Sequence, residues 1–299
     1  MQQASLADKE WIIELARARD YPATLGVSSE RRREAILADY ERDWAALVTL
    51  PSLSILVIPG RAFWLLAHGH TDSLTGDSQS VLIDHAGASQ CYAALLHDAR
   101  EKCRERALVV RVYPEIGPGP LAELGFQPEL ARVAGYPRPQ PEPVGFSLRR
   151  ATPDDRFYLT HLNGLATQAY IPAGREGKAV AFRNVKAYLD LDLSPTSNTL
   201  GMILVHEGKD VGYFLLDLDM RNEIGGQKAA YFYDIVVDPG FHKKGGARAL
   251  MDHCQNWLIA HDFPMLIGAI TVSNKLAYYG ATQIVGCQLE YERWGLALR

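Results

Sequence analysis

The stretch VVDPGFHKKGGARALM, residues 236–251, decides how this chain is read. An apolar run ends at Val237, a turn follows that holds one proline and three glycines (Gly240, Gly245, Gly246), and a helical pattern comes next. His242, Lys243 and Lys244 add positive charge to the turn. A strand that passes through such a turn into a helix is a ready anion site. The first helical N–H groups have no partner inside the helix, and the helix dipole places partial positive charge there. Glycine lets the backbone come close to the anion. The spacing excludes two familiar phosphate loops. The Walker loop needs G-x-x-x-x-G-K-[ST], but Gly246 and Ala247 stand where its lysine and hydroxyl belong. The dinucleotide fingerprint G-x-G-x-x-G is absent, and the strands before the loop read as an antiparallel meander rather than a parallel unit.

Three strands lead into the loop: TLGMILVHE, DVGYFLLDLD and AAYFYDIVVD, the first two joined by a GK hairpin turn. Upstream, FSLRRA reads as a short strand, Thr152 as an N-cap with Pro153 at the first helical position, and residues 179–191 as a second helix. Downstream, Leu250, Cys254, Trp257, Leu258 and His261 keep helical spacing. MLIGAIT is then a strand, SNKLAYY a short helix or turn, and QIVGCQLEYERW one or two final strands. The order β-α-α-β-β-β-α-β-α-β predicts an α/β fold: a mixed, mostly antiparallel sheet flanked by helices, with a βαβ crossover.

The first half repeats this order. Residues 6–19 and 29–48 read as helices, LSILVIPGRAFWLLAHG as a strand pair around a Pro-Gly turn, and QSVLIDHAG as the counterpart of FYDIVVDPG. Ala94 and Ala249, Leu95 and Leu250, and Gly125 and Gly280 all stand at one offset of 155 positions. This predicts an internal duplication whose first copy lacks the opening strand. AGYPRPQPEPV, residues 134–144, carries four prolines and reads as a linker. The expected division is a first domain over residues 1–135, a linker over 136–144 and a second domain over 145–299. A length of 299 residues suits two domains.

Composition narrows the function. The chain is 47% hydrophobic and 22% charged, which is ordinary for a soluble globular protein. A net charge of −4, with no like-charge run longer than Arg31-Arg32-Arg33, argues against a nucleic-acid binder. The four cysteines form no CxxC pair, which suits reduced thiols in the cytoplasm. No leader pattern is read at the N-terminus, and no apolar run nears the roughly 18 residues of a membrane span.

The second half resembles the GCN5-related N-acetyltransferases (GNAT). The family's phosphate motif, [QR]-x-x-G-x-[GA] after a strand ending in V-x-P, is matched in VDPGFHKKGGARAL by Val237, Pro239, Gly245 and Ala247, with His242 where Gln or Arg is usual. The resemblance covers about residues 146–294 and, through the duplication, the whole chain as a tandem pair. It implies acetyl-CoA as cosubstrate, with no metal. Ile235, Val236 and Val237 would meet the pantetheine arm through backbone atoms. His242, Lys243, Lys244, Gly245, Gly246 and Ala247 would hold the diphosphate, and Asn274 would lie near the arm. The implied reaction is direct acyl transfer to an amine, with a base to take its proton and an acid for the leaving thiolate. Asp234 on the strand before the loop is the candidate base and Asp217 its rival. Tyr279 or Tyr278 is the candidate acid, although in many members that tyrosine sits about seven residues after the asparagine.

The first copy, LIDHAGASQCYAALL, has Gly87 at the loop but neither the motif nor basic residues after it, so it is read as degenerate for cofactor binding. The acceptor is expected to be a small-molecule or peptide amine, bound by residues 170–186 and 220–227, on a monomer or homodimer. Two alternatives stay open: a non-catalytic acyl-CoA-binding or scaffold protein, and a transferase with another acyl donor or a hydroxyl acceptor. HGHTD, residues 68–72, is read as a polar turn rather than a metal motif, SSERRREA as a capped, solvated helix start, and Trp11, Trp44, Trp64 and Trp257 as core or interface packing.

Overall fold

The structure is a computed structural model that describes residues 2–23, 25, 27–71, 78–103, 105, 107–166, 186–221 and 227–298. Both halves start by the same local chemistry. Ser5 and Asp8 form a capping box, and so do Thr152 and Asp155; each box opens a short 3-10 turn that passes into a helix.

The chain divides into two compact units, Met1–Leu130 with Glu290–Arg299, and Ala131–Leu289. The first contains β1 (Gln2–Gln3), α1 (Lys9–Arg17), α2 (Ser29–Thr49), β2 (Leu53–Ile58), β3 (Ala62–Thr71), β4 (Ser78–Gly87), α3 (Tyr92–Lys102), β5 (Ala107–Val112), α4 (Pro120–Glu123) and the start of β6 (Gln127–Gly135). The second contains the end of β6, then β7 (Phe146–Arg150), α5 (Arg156–Ala166), β8 (Thr199–His206), β9 (Lys209–Arg221), β10 (Lys228–Val237), α6 (Gly246–Ala260), β11 (Leu266–Thr271) and α7 (Lys275–Tyr279). The last strand, β12 (Gln288–Ala297), pairs antiparallel with β5 and lies, from Glu290 on, in the first unit. Contacts therefore divide the chain differently from a linear boundary at the proline-rich stretch.

Within each unit the meander is antiparallel and the crossover parallel. β2–β3–β4 is a meander with β5 parallel to β4, and β7–β8–β9–β10 is a meander with β11 parallel to β10. Alternation along the strands feeds two layers. Leu56, Trp64, Leu66 and Leu82 pack on the side of α3, while Ile55, Val57, Phe63 and Leu65 pack with residues of α1 and α2. In the second unit Leu204, Phe214 and Leu216 join α6 residues Leu250, Cys254 and Leu258, while Ile203, Tyr213 and Leu215 join Leu159 and Leu162 of α5.

Several expectations need correction. The opening strand of the first unit is present, but only as the two residues of β1 paired with β2. The β8–β9 turn is Glu207–Gly208, because His206 pairs with Lys209. Residues 68–71 of HGHTD are the irregular end of β3 rather than a turn, since His70 pairs with Gln79 and Thr71 with Ser78 across a register shift, and Asp72 lies outside the described residues. The proline-rich stretch is held along α6: Gln140 N–H donates to Asn256 Oδ1 at 2.9 Å, and Asn256 Nδ2 donates to the Gln140 carbonyl at 3.0 Å. The match of Gly125 with Gly280 is coincidental. Gly125 has φ +91°, whereas Gly280 is helical at φ −57°, and the left-handed glycine that ends the helical stretch there is Gly286 at φ +79°. Most of the expected helix at 179–191 lies outside the described residues.

Candidate active site

β10 and β11 pair only from Ala230–Phe232 to Leu266–Gly268, although β10 runs on to Val237 and β11 to Thr271. The two strands part after Phe232, which leaves one backbone edge of β10 open along residues 233–237. On the other edge β10 stays paired with β9, from Asp234 with Leu215 to Val237 with Gly212. Between Phe232 and Asp234 the register shifts by one residue, so Tyr233 is a bulge. It is half exposed, and burial and then the Asp234 charge raise the affinity of its phenol for the proton. The strands come close at the loop's root: a Cβ on Gly212 would lie 2.8 Å from the Val236 carbonyl oxygen.

The expected phosphate loop follows directly. Asp238 accepts a hydrogen bond from Gly240 N–H at 2.7 Å and begins a 3-10 turn, Pro239–Phe241. Gly245 is the N-cap of α6 with φ +87°, a conformation that a residue with a Cβ adopts at a cost. Gly246 is buried, and a Cβ there would lie 3.1 Å from Val237 Cγ1, so glycine lets the helix start seat on the strand end. The first i→i−4 bond of the helix is Ala249 N–H to the Gly245 carbonyl, 2.9 Å. The N–H groups of Gly246, Ala247 and Arg248 precede it and make up the helix N-terminus. His242, Lys243 and Lys244 are exposed around this end. His242 Nε2 lies 3.1 Å from the Val237 carbonyl oxygen, so the ring donates back to the strand end. Lys243 has φ +63°, an unusual conformation for a lysine.

Asp234 lies on the open strand, but its carboxylate is already engaged. Oδ2 accepts from Asn163 Nδ2 at 2.9 Å, from the Tyr213 hydroxyl at 2.7 Å and from the Tyr188 hydroxyl; Oδ1 accepts from Ile235 N–H at 2.8 Å. Four donors hold the carboxylate, three of them on Oδ2 and one on Oδ1. Burial first, and then the Asp234 charge, raise the Tyr213 hydroxyl well above its ordinary range. Tyr213 therefore stays protonated and donates. Asp217, the rival base, is half-buried on β9 and accepts from Asp219 N–H at 2.9 Å.

Asn274 caps α7, its side-chain oxygen accepting from Ala277 N–H at 3.1 Å. Tyr279 is 60% exposed on that helix, whereas Tyr278 packs against the core. The helix does not stop at Gly280: it continues as a wider π turn, Gly280–Val285. The residue seven places after Asn274 is therefore helical Ala281, which has no acidic group. Most of the expected acceptor segments lie outside the described residues.

The sequence reading did not single out Tyr188, Tyr213 or Asn163. Tyr158 was missed as well; its hydroxyl is buried with no hydrogen-bond partner among the described residues. Burial raises its pKa, as do the charges of Asp210 and Asp238, and Asp238 lies at the root of the loop.

Residues 153–279 match the sequence profile of the Acetyltransferase (GNAT) family. They form a GNAT domain. A GCN5-related N-acetyltransferase from Sphaerobacter thermophilus matches with a TM-score of 0.53 at 14% identity, over 100% of this chain and 95% of that one. A conserved protein of unknown function from Staphylococcus epidermidis matches with a TM-score of 0.52 at 11% identity, over 83% of this chain and 91% of that one. A tandem GNAT protein from the clavulanic acid biosynthesis pathway matches at 14% identity with a TM-score of 0.46, over 98% and 95% of the two chains. No curated protein matches the sequence. At these identities the likeness shows the fold, and it runs through both units. In the GNAT domain the open strand edge and the basic loop meet at one end of the β10–β11 fork. No helix among the described residues is long and apolar enough to cross a membrane.

Proposed function

We propose that the second unit is an acyl-CoA-dependent N-acyltransferase that moves acetyl from acetyl-CoA to the amine of a small molecule or peptide. One observation carries this reading: β10 leaves β11 after Phe232 and runs, with one backbone edge open, straight into a basic loop at the N-terminus of α6. The open edge at Ile235, Val236 and Val237 suits an amide-bearing arm such as pantetheine, and the loop from His242 to Ala247 suits the diphosphate beyond it. Asn274, which caps α7, stands as the residue beside that arm.

In the reaction the neutral amine attacks the thioester carbonyl. A C–N bond forms, the C–S bond breaks, the amine loses one proton, and the thiolate leaves or takes up a proton. Asp234 is buried, and its carboxylate is engaged by four donors, three of them crowded on Oδ2. Its role in this reading is therefore to hold Tyr213, Tyr188 and Asn163 against the cleft strand. Tyr279, exposed, is preferred to core-packed Tyr278 as the proton donor to the thiolate. The four cysteines are buried with no disulfide among the described residues, which suits a reducing compartment.

The test is a thermal shift with CoA and acetyl-CoA, followed by thiol release with a panel of amines. Binding must raise the melting temperature; no shift at millimolar cosubstrate would sink the proposal. A second reading, an acyl-CoA-binding module without turnover, is favoured by the engaged Asp234 and by the missing tyrosine seven places after Asn274. Tight binding with no thiol release from any amine or hydroxyl acceptor would decide for it.

A further inference from the structure

At the end of the first unit's sheet where β5 begins, three potential metal ligands from separate segments converge. His68 comes from the end of β3, Cys103 closes α3, and Glu105 precedes β5. One ligand atom from each lies within 4.8 Å of the others. His68 Nδ1 is 3.8 Å from Glu105 Oε2 and 4.0 Å from Cys103 Sγ. A tetrahedral ion with bonds of about 2.0–2.3 Å would set such atoms roughly 3.3–3.7 Å apart, so the two His68 pairs need to close by a few tenths of an ångström and the Cys103–Glu105 pair by up to about 1 Å.

The surrounding contacts fit ligand roles. His68 Nε2 lies 2.8 Å from Ser54 Oγ, so the ring can donate there while Nδ1 faces the cluster. Glu105 Oε1 accepts from Gly69 N–H at 2.9 Å, which leaves Oε2 turned toward His68 and Cys103. Metal-bound histidines and carboxylates are commonly steadied by such contacts through their other atoms. Ser80 Oγ is 2.9 Å from His68 Nδ1 and 3.5 Å from Cys103 Sγ, near enough to be a fourth ligand or to hold a water in that place. Among the described residues, what stays unexplained is Glu105. The residue is only 9% exposed, and its Oε2 has no hydrogen-bond partner among the described residues. A buried carboxylate oxygen without a donor is costly.

We propose that His68 Nδ1, Cys103 Sγ and Glu105 Oε2 bind one divalent ion of the zinc class. A thiolate, a carboxylate and a neutral imidazole around a dication sum to zero charge, which suits a buried place, and the mixed S, N and O donors suit zinc. Cys103 gives up its thiol proton to solvent on binding, so affinity rises with pH. The ion ties the end of β3 to the link between α3 and β5. That end of the β4–β5 pair is opposite to where the two strands part, so the role is structural.

Chelator-treated full-length protein titrated with cobalt(II) tests this. One equivalent is expected to bind with an ultraviolet thiolate-to-cobalt charge-transfer band, and zinc is expected to displace it. Cys103→Ser should abolish the band, and Glu105→Gln should weaken binding at least ten-fold. Cys91→Ser, which touches another buried thiol, should leave the titration unchanged. Zinc should raise the melting temperature of the parent protein but not of Cys103→Ser. Absence of the thiolate band at saturating cobalt would overturn the site, as would equal binding by Glu105→Gln. The latter holds even if Cys103→Ser fails to fold, because Glu105→Gln keeps the shape and the bond from Gly69.

Discussion

The two units hold the same buried cluster at the same bulge, yet only the second follows it with a basic, glycine-containing loop. In the first, Leu65 pairs with Asp84 and Leu66 with Leu82, which leaves Ile83 as the extra residue; in the second, Leu215 pairs with Asp234 and Leu216 with Phe232, which leaves Tyr233. Asp84 accepts from the Tyr40 hydroxyl at 2.8 Å, the Tyr21 hydroxyl at 3.1 Å, Arg19 and its neighbour His85 N–H. Asp234 accepts from Tyr188, Tyr213, Asn163 and its neighbour Ile235 N–H. Strand end and helix start are then joined by residues 88–91 in the first unit and by residues 238–245 in the second. The carboxylate cluster thus survives where the anion loop has shrunk. It belongs to the way the fold secures its bulge, while the loop is the part that differs between the units.

The largest expected effect comes from copying the second unit into the first at the strand end. Gly87 occupies the place of Val237 but has φ +125°, and a Cβ there would overlap the Arg61 carbonyl and Ala62. Gly87→Val should destabilise the chain by ~3 kcal/mol or more in urea unfolding, because backbone cannot give way as a side-chain tip does. A cost below about 1 kcal/mol would break the argument.

Next come the paired carboxylates. Asp84→Asn and Asp234→Asn each set an amide N–H₂ against hydroxyl and N–H donors, and each should cost about 2–4 kcal/mol in denaturant unfolding. Similar losses would sharpen the comparison. If Asp234→Asn abolished turnover without a comparable loss of stability, Asp234 would be catalytic after all.

The loop itself should be separable from the fold. Lys243→Glu with Lys244→Glu is expected to weaken CoA binding about ten-fold or more at low salt, with the melting temperature nearly unchanged, since both lysines are exposed. Equal binding by the double variant would remove these lysines from the site.

The last test is a pH dependence in the first unit. His85 stands where the second unit has Ile235, and burial, with the nearby Arg19 charge, pushes its pKa down to about 3. The unfolded chain therefore binds a proton that the folded one refuses, between about pH 6.5 and 3. Stability is unaffected above that window and falls as pH drops through it, by about 1.4 kcal/mol per unit once well below 6.5. His85→Ile should flatten the decline in the urea midpoint between pH 7 and pH 5, and an unchanged slope would show that other groups set it.

Much of this was legible in the sequence where local rules suffice. The capping residue Thr152, the strand alternation and the spacing of Gly245 and Ala247 act over a turn or two of chain. The offset of 155 caught Leu95 and Leu250 in their helices, both fully buried. Across the bulge, however, Asp84 and Asp234 stand 150 apart, and the difference of five is close to the four residues that the loop gains. The fork between β10 and β11 was not legible, because the point where two strands stop pairing depends on partners some 35 positions away.

The sequence by itself therefore determined the α/β order, the repeat, and the loop that marks the second half as a GNAT domain. Only the tertiary structure decided that Asp234 is held by four donors, that the last strand belongs to the first unit, and that His68, Cys103 and Glu105 meet. The physical reason is range. Caps, periods and glycine turns are set by neighbours a few residues apart, whereas a buried polar group is defined by whichever distant side chains the fold brings within about 3 Å of it.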